Sequence, residues 1–177
     1  HPVTLENKTS KKQFQELLDA IEKLEDTNII FTKSNSDTDG RIINQMIDKY
    51  VYKNSHKSIT FTSLGQLRYL SALKYVDAVV GNSSSGLLEA PSFKIATINI
   101  GDRQKGRIKA DSVIDCLAEK KNIKKVIDKI YSKKFQELLK KVKNPYAKGK
   151  TSKKIVEILK KTSFPFSVKK KFHDIEI

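Results

Sequence analysis

The chain has 177 residues, of which 38% are hydrophobic, enough to bury one substantial core. It contains neither a run of about 18 apolar residues that would span a bilayer nor an apolar signal peptide, so we predict a cytoplasmic protein without membrane contact. The single cysteine, Cys116, excludes an internal disulfide, and the three histidines are too scattered for metal-ligand spacing, so we predict no metal and no other cofactor. Because the chain starts at His1, we expect it to be part of a longer protein.

The net charge of +15 belongs almost entirely to the second part of the chain. Up to Arg103 there are 13 Lys and Arg against 12 Asp and Glu, whereas from Gln104 onward there are 22 against 8. The later lysines stand in pairs between apolar residues, which is typical of the outer face of amphipathic helices. Surfaces that bind nucleic acids usually mix arginines and aromatic residues with lysines, and this region has only Arg107. We therefore predict no nucleic-acid partner.

Helical and strand patterns alternate along the chain. A helix in KKQFQELLDAIEKLE precedes a strand at 28–32, and a helix in RIINQMIDKYV precedes a strand at 58–62. The same order continues with QLRYLSALKYV, DAVVG, SSGLLEA, KIATINI and VIDC, after which the chain is predicted to be helical surface. This alternation predicts parallel βαβ units in a Rossmann-like, doubly wound α/β sheet.

Three polar segments, SNSDTDGR, GNSSSG and GDRQKGR, each follow a predicted strand. Ligands of such sheets bind beyond the carboxyl ends of the strands. In GNSSSG, Gly81 permits a tight turn, Ser83 or Ser84 can cap the next helix, and free amides at the helix start attract an anion. The pattern suits a phosphate or diphosphate, and a serine-rich turn that only caps a helix is the alternative.

Two charged residues favour the phosphate interpretation. Glu89 can accept hydrogen bonds from the two hydroxyls of a ribose, and Arg103 can donate a charge-assisted bond to phosphate. Taken alone, each would be an ordinary surface charge, but together with the serines they indicate a nucleoside diphosphate. The glycine-rich dinucleotide fingerprint, the P-loop and the nucleophile elbow are all missing from the sequence.

Five segments carry a resemblance to a known family: HPVT, SNSDTDGR, SLGQLRYLSALKYVDAVVGNSSSGLLEA, INIGDRQKGR and NPYAKGK. In this order and spacing they closely resemble the second half of the hydrolysing UDP-N-acetylglucosamine 2-epimerases of the sialic-acid pathway. The resemblance implies two Rossmann-like domains in the glycosyltransferase-B arrangement, with the active site in the cleft between them. This chain would be the second, UDP-binding domain at residues 1–162, followed by a tail at 163–177 that packs back on the first domain.

The resemblance assigns roles in UDP binding by motif. Ser83, Ser84 and Arg103 would hold the diphosphate, and Glu89 would hold the ribose.

Four further residues would lie around the sugar and the base. Asn35 would approach the substrate, Leu64 and Tyr69 would border the uracil, and His1 would lie in the catalytic cleft. A place in the helix core is the alternative for Leu64 and Tyr69, and a remnant of an expression tag is the alternative for His1.

The implied reaction removes UDP from C1 and a proton from C2, then adds water to give N-acetylmannosamine. The acid and base carboxylates would belong to the first domain, so we expect this chain alone to be inactive. Relatives that act on diacetamido-trideoxy sugars, or with another nucleotide, leave the exact substrate open. The alternatives are the donor-binding half of a glycosyltransferase-B enzyme and, in another class, a basic nucleic-acid-binding module.

The strand that the family places before HPVT, near the centre of the sheet, is not in this sequence. A buried parallel strand without a neighbour leaves amides and carbonyls unpaired. We therefore expect upstream residues or a second copy of the chain to fill this position, and we expect a homo-oligomer.

Overall fold

The protein is described by a computed structural model that covers residues 9–34 and 40–163. The strands are β1 (Ile29–Thr32), β2 (Ser58–Phe61), β3 (Ala78–Gly81), β4 (Ala96–Ile100) and β5 (Val113–Cys116). The helices are α1 (Ser10–Ile21), α2 (Gly40–Lys53), α3 (Gly65–Ala72), α4 (Ser85–Leu88), α5 (Lys120–Ile130), α6 (Lys133–Lys141) and α7 (Thr151–Lys161). A 3-10 helix at Ala90–Phe93 separates α4 from β4. The predicted alternation of helices and strands is confirmed.

The five strands form two sheets, and within each sheet the strands are parallel. β1 pairs with β2, and β4 lies between β3 and β5. These pairings agree with the doubly wound strand order 3-2-1-4-5-6 if position 1 is left without a strand. Among the described residues, no strand joins β1 to β3. This is the central position at which the resemblance expects a strand that precedes residue 1.

The core is deepest at β4, where Ala96, Thr97, Ile98 and Asn99 are all buried. A central parallel strand is covered on both faces and both edges, which explains why even the polar Thr97 and Asn99 are buried. α5 covers this sheet and contacts α1, which in turn contacts α2. The carboxylate of Glu16 accepts a hydrogen bond from the Lys120 amide at 2.6 Å, which joins α1 to the first turn of α5.

The predicted lysine-rich helical surface is confirmed in α5 and α6. Ile123, Ile127 and Ile130 are buried at helical spacing, while Lys121, Lys124, Lys125 and Lys129 are exposed. Amphipathic helices of this kind bury one stripe and solvate the other.

The chain separates into two compact units, residues 1–147 and residues 148–177. The described part of the second unit contains α7, none of whose residues is buried. The predicted domain end at residue 162 and the tail at 163–177 stay predictions, because residues 164–177 lie outside the described part. None of the helices in residues 9–34 and 40–163 is long and apolar enough to cross a membrane.

Candidate functional site

Two loops meet at the carboxyl ends of β3 and β4. The first, residues 82–85, is called the serine loop, and the second, residues 101–107, is called the arginine loop. β3 and β4 are parallel neighbours in which Gly81 is paired with Asn99, so both loops leave the sheet at the same edge. This is the edge at which open parallel sheets bind their ligands.

Gly81 turns the chain from β3 into the serine loop. Its φ of +144° lies in a region that residues with side chains rarely adopt. Ser84 occupies the N-cap position of α4 but makes no side-chain cap, and the Ser83 hydroxyl accepts a long hydrogen bond of 3.4 Å from the Ser85 amide. Of the two predicted capping residues, only Ser83 makes a side-chain hydrogen bond at the start of α4. Because α4 has only four residues, the hydroxyls and amides of the loop, more than a helix dipole, favour an anion here.

The Asn82 carbonyl joins the two loops. It accepts hydrogen bonds from Arg103 Nη1 at 3.0 Å and from Gln104 Nε2 at 2.8 Å. Arg103 thus lies beside the serine loop, and most of the five N–H donors of its guanidinium make no hydrogen bond within residues 9–34 and 40–163. Gln104 is 2% exposed and is absent from the sequence-predicted site. Its position next to Arg103 in GDRQKGR was the only signal that could have identified it.

Tyr69 approaches the serine loop from α3. Its hydroxyl forms a hydrogen bond with the Ser85 hydroxyl, and its ring packs against a small core of Leu73, Ala90 and Ile95. The ring of Tyr69 therefore packs in a core, which was the alternative to a place beside the uracil. Burial raises the pKa of Tyr69, the hydrogen bond with Ser85 opposes this, and the charge of Glu89 raises it further. The phenol is consequently neutral at physiological pH.

Glu89 lies one turn beyond Ser85, and its amide donates to the Ser85 carbonyl at 2.9 Å. It is half-buried at the C-cap of α4, and its carboxylate makes no hydrogen bond within residues 9–34 and 40–163. A carboxylate without such a bond can accept hydrogen bonds from two hydroxyl groups of a ligand.

Among the described site residues, Leu64 stands apart from this cluster. Leu64 is half-buried at the N-cap position of α3, and no described contact links it to the serine loop. His1 and Asn35 lie outside the described residues, so their roles stay predictions.

Close packing against β4 holds α4 in place. A Cβ atom on Gly86 would lie 2.6 Å from Cγ2 of Thr97, a distance that real contacts do not show. The Thr97 hydroxyl donates to the Gly86 carbonyl at 2.8 Å, and Thr97 is 2% exposed. Glycine at this position lets the backbone of α4 approach the sheet.

Two side chains of the NPYAKGK motif form hydrogen bonds with segments next to the site. The Asn144 side-chain amide donates to the Leu88 carbonyl at 2.8 Å and to the Ser92 hydroxyl at 2.7 Å. The Tyr146 hydroxyl donates to the Ile108 carbonyl at 2.9 Å. This motif therefore connects the end of α4 with the segment that follows the arginine loop. Across the part of the chain that the structure describes, no three His, Cys, Asp or Glu residues are grouped so as to hold a metal ion.

Sequence comparison gives consistent matches. Residues 1–160 match the model of a protein family described as UDP-N-acetylglucosamine 2-epimerase. The hydrolysing GDP/UDP-N,N'-diacetylbacillosamine 2-epimerase of Campylobacter jejuni is 43% identical over 137 residues, which are 77% of this chain and 35% of that protein. Polysialic acid biosynthesis protein P7 of Escherichia coli is 44% identical over 149 residues, 84% of this chain and 38% of its own length. The chain thus spans little more than a third of these relatives.

Solved structures of UDP-GlcNAc 2-epimerases share the fold of this chain. The Methanocaldococcus jannaschii UDP-GlcNAc 2-epimerase, in complex with UDP-GlcNAc and UDP, aligns with a TM-score of 0.66 at 22% identity, over 85% of this chain and 41% of that one. The Neisseria meningitidis UDP-GlcNAc 2-epimerase bound to UDP-GlcNAc aligns with a TM-score of 0.63 at 18% identity, over 86% of this chain and 41% of that one. These alignments and the parallel sheets confirm the predicted α/β, Rossmann-like fold of a glycosyltransferase-B-type enzyme.

Proposed function

Because the chain belongs to the UDP-N-acetylglucosamine 2-epimerase family, we propose that it is the UDP-binding half of a hydrolysing 2-epimerase for a UDP-N-acetylated sugar. The observation that carries this proposal is the meeting of the serine loop, Arg103 and Glu89 beyond the carboxyl ends of β3 and β4. The cluster combines a cation and hydroxyl groups with a carboxylate that makes no hydrogen bond with the other described residues. These groups match the needs of the diphosphate and the ribose of UDP.

The proposed pose follows from the donors and acceptors that are available. Ser83, Ser84 and Arg103 hold the diphosphate, because hydroxyls and a guanidinium are strong donors to phosphate oxygens. Glu89 accepts hydrogen bonds from the ribose hydroxyls.

The uracil then lies toward α3. Tyr69 contributes the part of its ring that is not packed in the core, and Leu64 contributes an apolar side chain at the start of that helix. Asn35 and His1 extend the site toward the sugar.

In the complete enzyme, this half stabilises the leaving group. When the C1–O bond breaks, its electron pair passes to the diphosphate, and a cation and amides already in position stabilise the added charge. The proton on C2 goes to a base, which leaves a double bond between C1 and C2, and water then adds to give the free 2-epimer. Glu89 is assigned to the ribose, and the resemblance to the family implies that the carboxylates that serve as acid and base come from a further domain.

The relatives indicate the range of sugars. The Campylobacter jejuni protein is named for diacetylbacillosamine nucleotides, and a Neisseria meningitidis relative is named UDP-N-acetylglucosamine 2-epimerase. Both sugars are 2-acetamido compounds, so the product proposed here is N-acetylmannosamine or its diacetamido counterpart. The polysialic acid protein of Escherichia coli favours the first of these, as a precursor for sialic acid.

Calorimetry with three probes tests the binding site. Glu89→Gln should weaken both UDP and uridine, and Arg103→Met should weaken UDP and pyrophosphate but not uridine, each by about tenfold or more for a lost charge-assisted hydrogen bond. Arg107→Met is the matched control, because it removes an exposed arginine from the same loop. Unchanged UDP affinity in folded Glu89→Gln and Arg103→Met proteins would refute the site.

An activity assay tests the assignment to one half of an enzyme. This chain alone should release no UDP from UDP-N-acetylglucosamine above background, whereas the longer protein should release UDP and a free sugar. Transfer of the sugar to an acceptor would instead indicate a glycosyltransferase. Tight duplex binding at physiological salt, with affinity falling steeply as salt rises, would indicate the nucleic-acid-binding alternative.

A further inference from the structure

We infer that Gln104 positions the serine loop for the diphosphate by fixing the peptide group between Asn82 and Ser83. This inference rests on the proposed function. Gln104 lies 22 residues from Asn82 in the chain, is 2% exposed, and donates from Nε2 to the Asn82 carbonyl at 2.8 Å. The bond joins the loop after β4 to the loop after β3.

The direction of this bond determines what the serine loop presents. The described chain has no cis peptide bonds, and in a trans peptide the carbonyl and the following N–H point in opposite directions. The Asn82 carbonyl points toward Nε2 of buried Gln104 and Nη1 of exposed Arg103. The Ser83 amide therefore points away from these two donors, and we assign it to a diphosphate oxygen. If this peptide turned over, a carbonyl oxygen would face the anion and repel it.

Gln104 is better suited to this task than Arg103. The Arg103 guanidinium is exposed, and its other donors make no hydrogen bond with the described residues, so they can bind a ligand. A neutral amide costs far less to bury than a guanidinium, so it can hold the carbonyl from the protein side. Oε1 of Gln104 is buried and has no hydrogen-bond partner among the described residues. The Nε2 bond is thus the polar interaction that orients this side chain, since turning the amide over would set two oxygens against each other.

The arginine loop is itself fixed, which the role of Gln104 requires. The Gly101 amide donates to the Cys116 carbonyl at 2.9 Å, so the loop begins on the ladder between β4 and β5. The Lys105 amide then donates to the Asp102 carbonyl at 2.8 Å, which closes a turn around Arg103 and Gln104. A side chain on such a turn can hold a neighbouring loop in one orientation.

The test uses Gln104→Met, which keeps the size of the side chain and removes its donor. The control is Gln136→Met, because Gln136 also donates to a backbone carbonyl, that of Ile130 at 2.7 Å, but in α6. Gln104→Met should weaken binding of UDP and of pyrophosphate by about tenfold, the value of one hydrogen bond, and leave uridine unchanged. Gln136→Met should change none of the three. Pyrophosphate affinity equal to wild type, or an equal loss of uridine, would overturn the inference.

Nuclear magnetic resonance separates this inference from the proposed function. If the wild-type protein does not bind UDP, the proposed function fails, but the Ser83 amide resonance of ligand-free Gln104→Met still tests the positioning. A shifted Ser83 resonance supports the role of Gln104, and an unchanged one overturns it.

A measurement on the wild-type protein applies if the variant does not fold. The side-chain amide protons of Gln104 should exchange with solvent far more slowly than those of exposed Gln66. Equal exchange rates would contradict the proposed bond.

Discussion

The two sheets of this protein differ in how fully their strands are covered, and the candidate site lies on the better covered one. β4 has a neighbour on each side and four of its five residues buried, whereas Ile30 in β1 is 46% exposed and Ile59 in β2 is 50% exposed. Binding residues commonly occupy loops that a rigid scaffold holds in place. The difference teaches that both loops depend on β4, the strand that is paired on both sides among the described residues, whereas each of the other four strands has an edge without a strand partner there.

The largest expected effect compares one isoleucine from each sheet. Ile98→Ala in β4 removes a fully buried side chain and should lower the free energy of unfolding by about 2–5 kcal/mol. Ile30→Ala in β1 removes a half-exposed one and should cost below about 1 kcal/mol. Urea denaturation of the two variants measures both values. Equal losses would mean that the two sheets are equally well packed.

The next effect concerns the contact between α4 and β4. Gly86→Ala places a methyl group against Thr97 Cγ2 and should destabilise the protein by about 1–3 kcal/mol, the usual cost of overpacking. The double variant Gly86→Ala with Thr97→Ser removes the clashing methyl group and keeps the hydroxyl that bonds the Gly86 carbonyl. Its Tm should rise above that of Gly86→Ala alone. Without such recovery, the close contact would not be the cause of the destabilisation.

A smaller effect concerns α1, the helix that contacts both α2 and α5. Glu16→Ala removes the carboxylate that accepts the Lys120 amide, and should cost about 1 kcal/mol, as for the loss of a helix cap. Glu137→Ala is the control, because Glu137 makes an exposed ion pair with Lys140, worth below about 0.5 kcal/mol. Thermal denaturation that ranks the two in the opposite order would count against this role of Glu16.

The smallest expected effect is the pH dependence that Asp115 adds to β5. Partial burial favours the neutral acid, but hydrogen bonds from Lys109 and Asn99 and the charge of Lys109 outweigh it, so the pKa of Asp115 is lowered. A carboxyl whose folded pKa is lowered stabilises the protein above its unfolded pKa, and that contribution disappears as pH falls through the folded pKa. Asp115→Asn should therefore lose less stability than wild type between about pH 5 and pH 2. Identical acid profiles would show that the pair contributes nothing.

The sequence predicted the helices and strands because those features are local. Apolar spacing marked the helices, β-branched runs marked the strands, and Gly81 marked the turn at the end of β3. Arg103 and Glu89 were predicted from their charges near the serine-rich turn, and the structure places Arg103 at the Asn82 carbonyl and Glu89 one turn after Ser85.

The missed features depend on pairings distant in sequence. The bond of Gln104 to Asn82 spans 22 residues, and that of Asn144 to Leu88 spans 56, so no local pattern reveals them. The division of the strands into two sheets, by contrast, agrees with the expected absence of the central strand that the resemblance places before HPVT. The short α4 was also predicted, because Pro91 cannot donate to a continuing helix and lies in a 3-10 turn instead.

Amide hydrogen exchange with and without UDP tests the central claim most directly, because it reports on both sheets in one experiment. UDP should protect the amides of residues 81–89 and of the arginine loop, and should leave those of β1 and β2 unchanged. Protection confined to β1 and β2, or no protection at saturating UDP, would contradict the assignment of the nucleotide site to the carboxyl ends of β3 and β4.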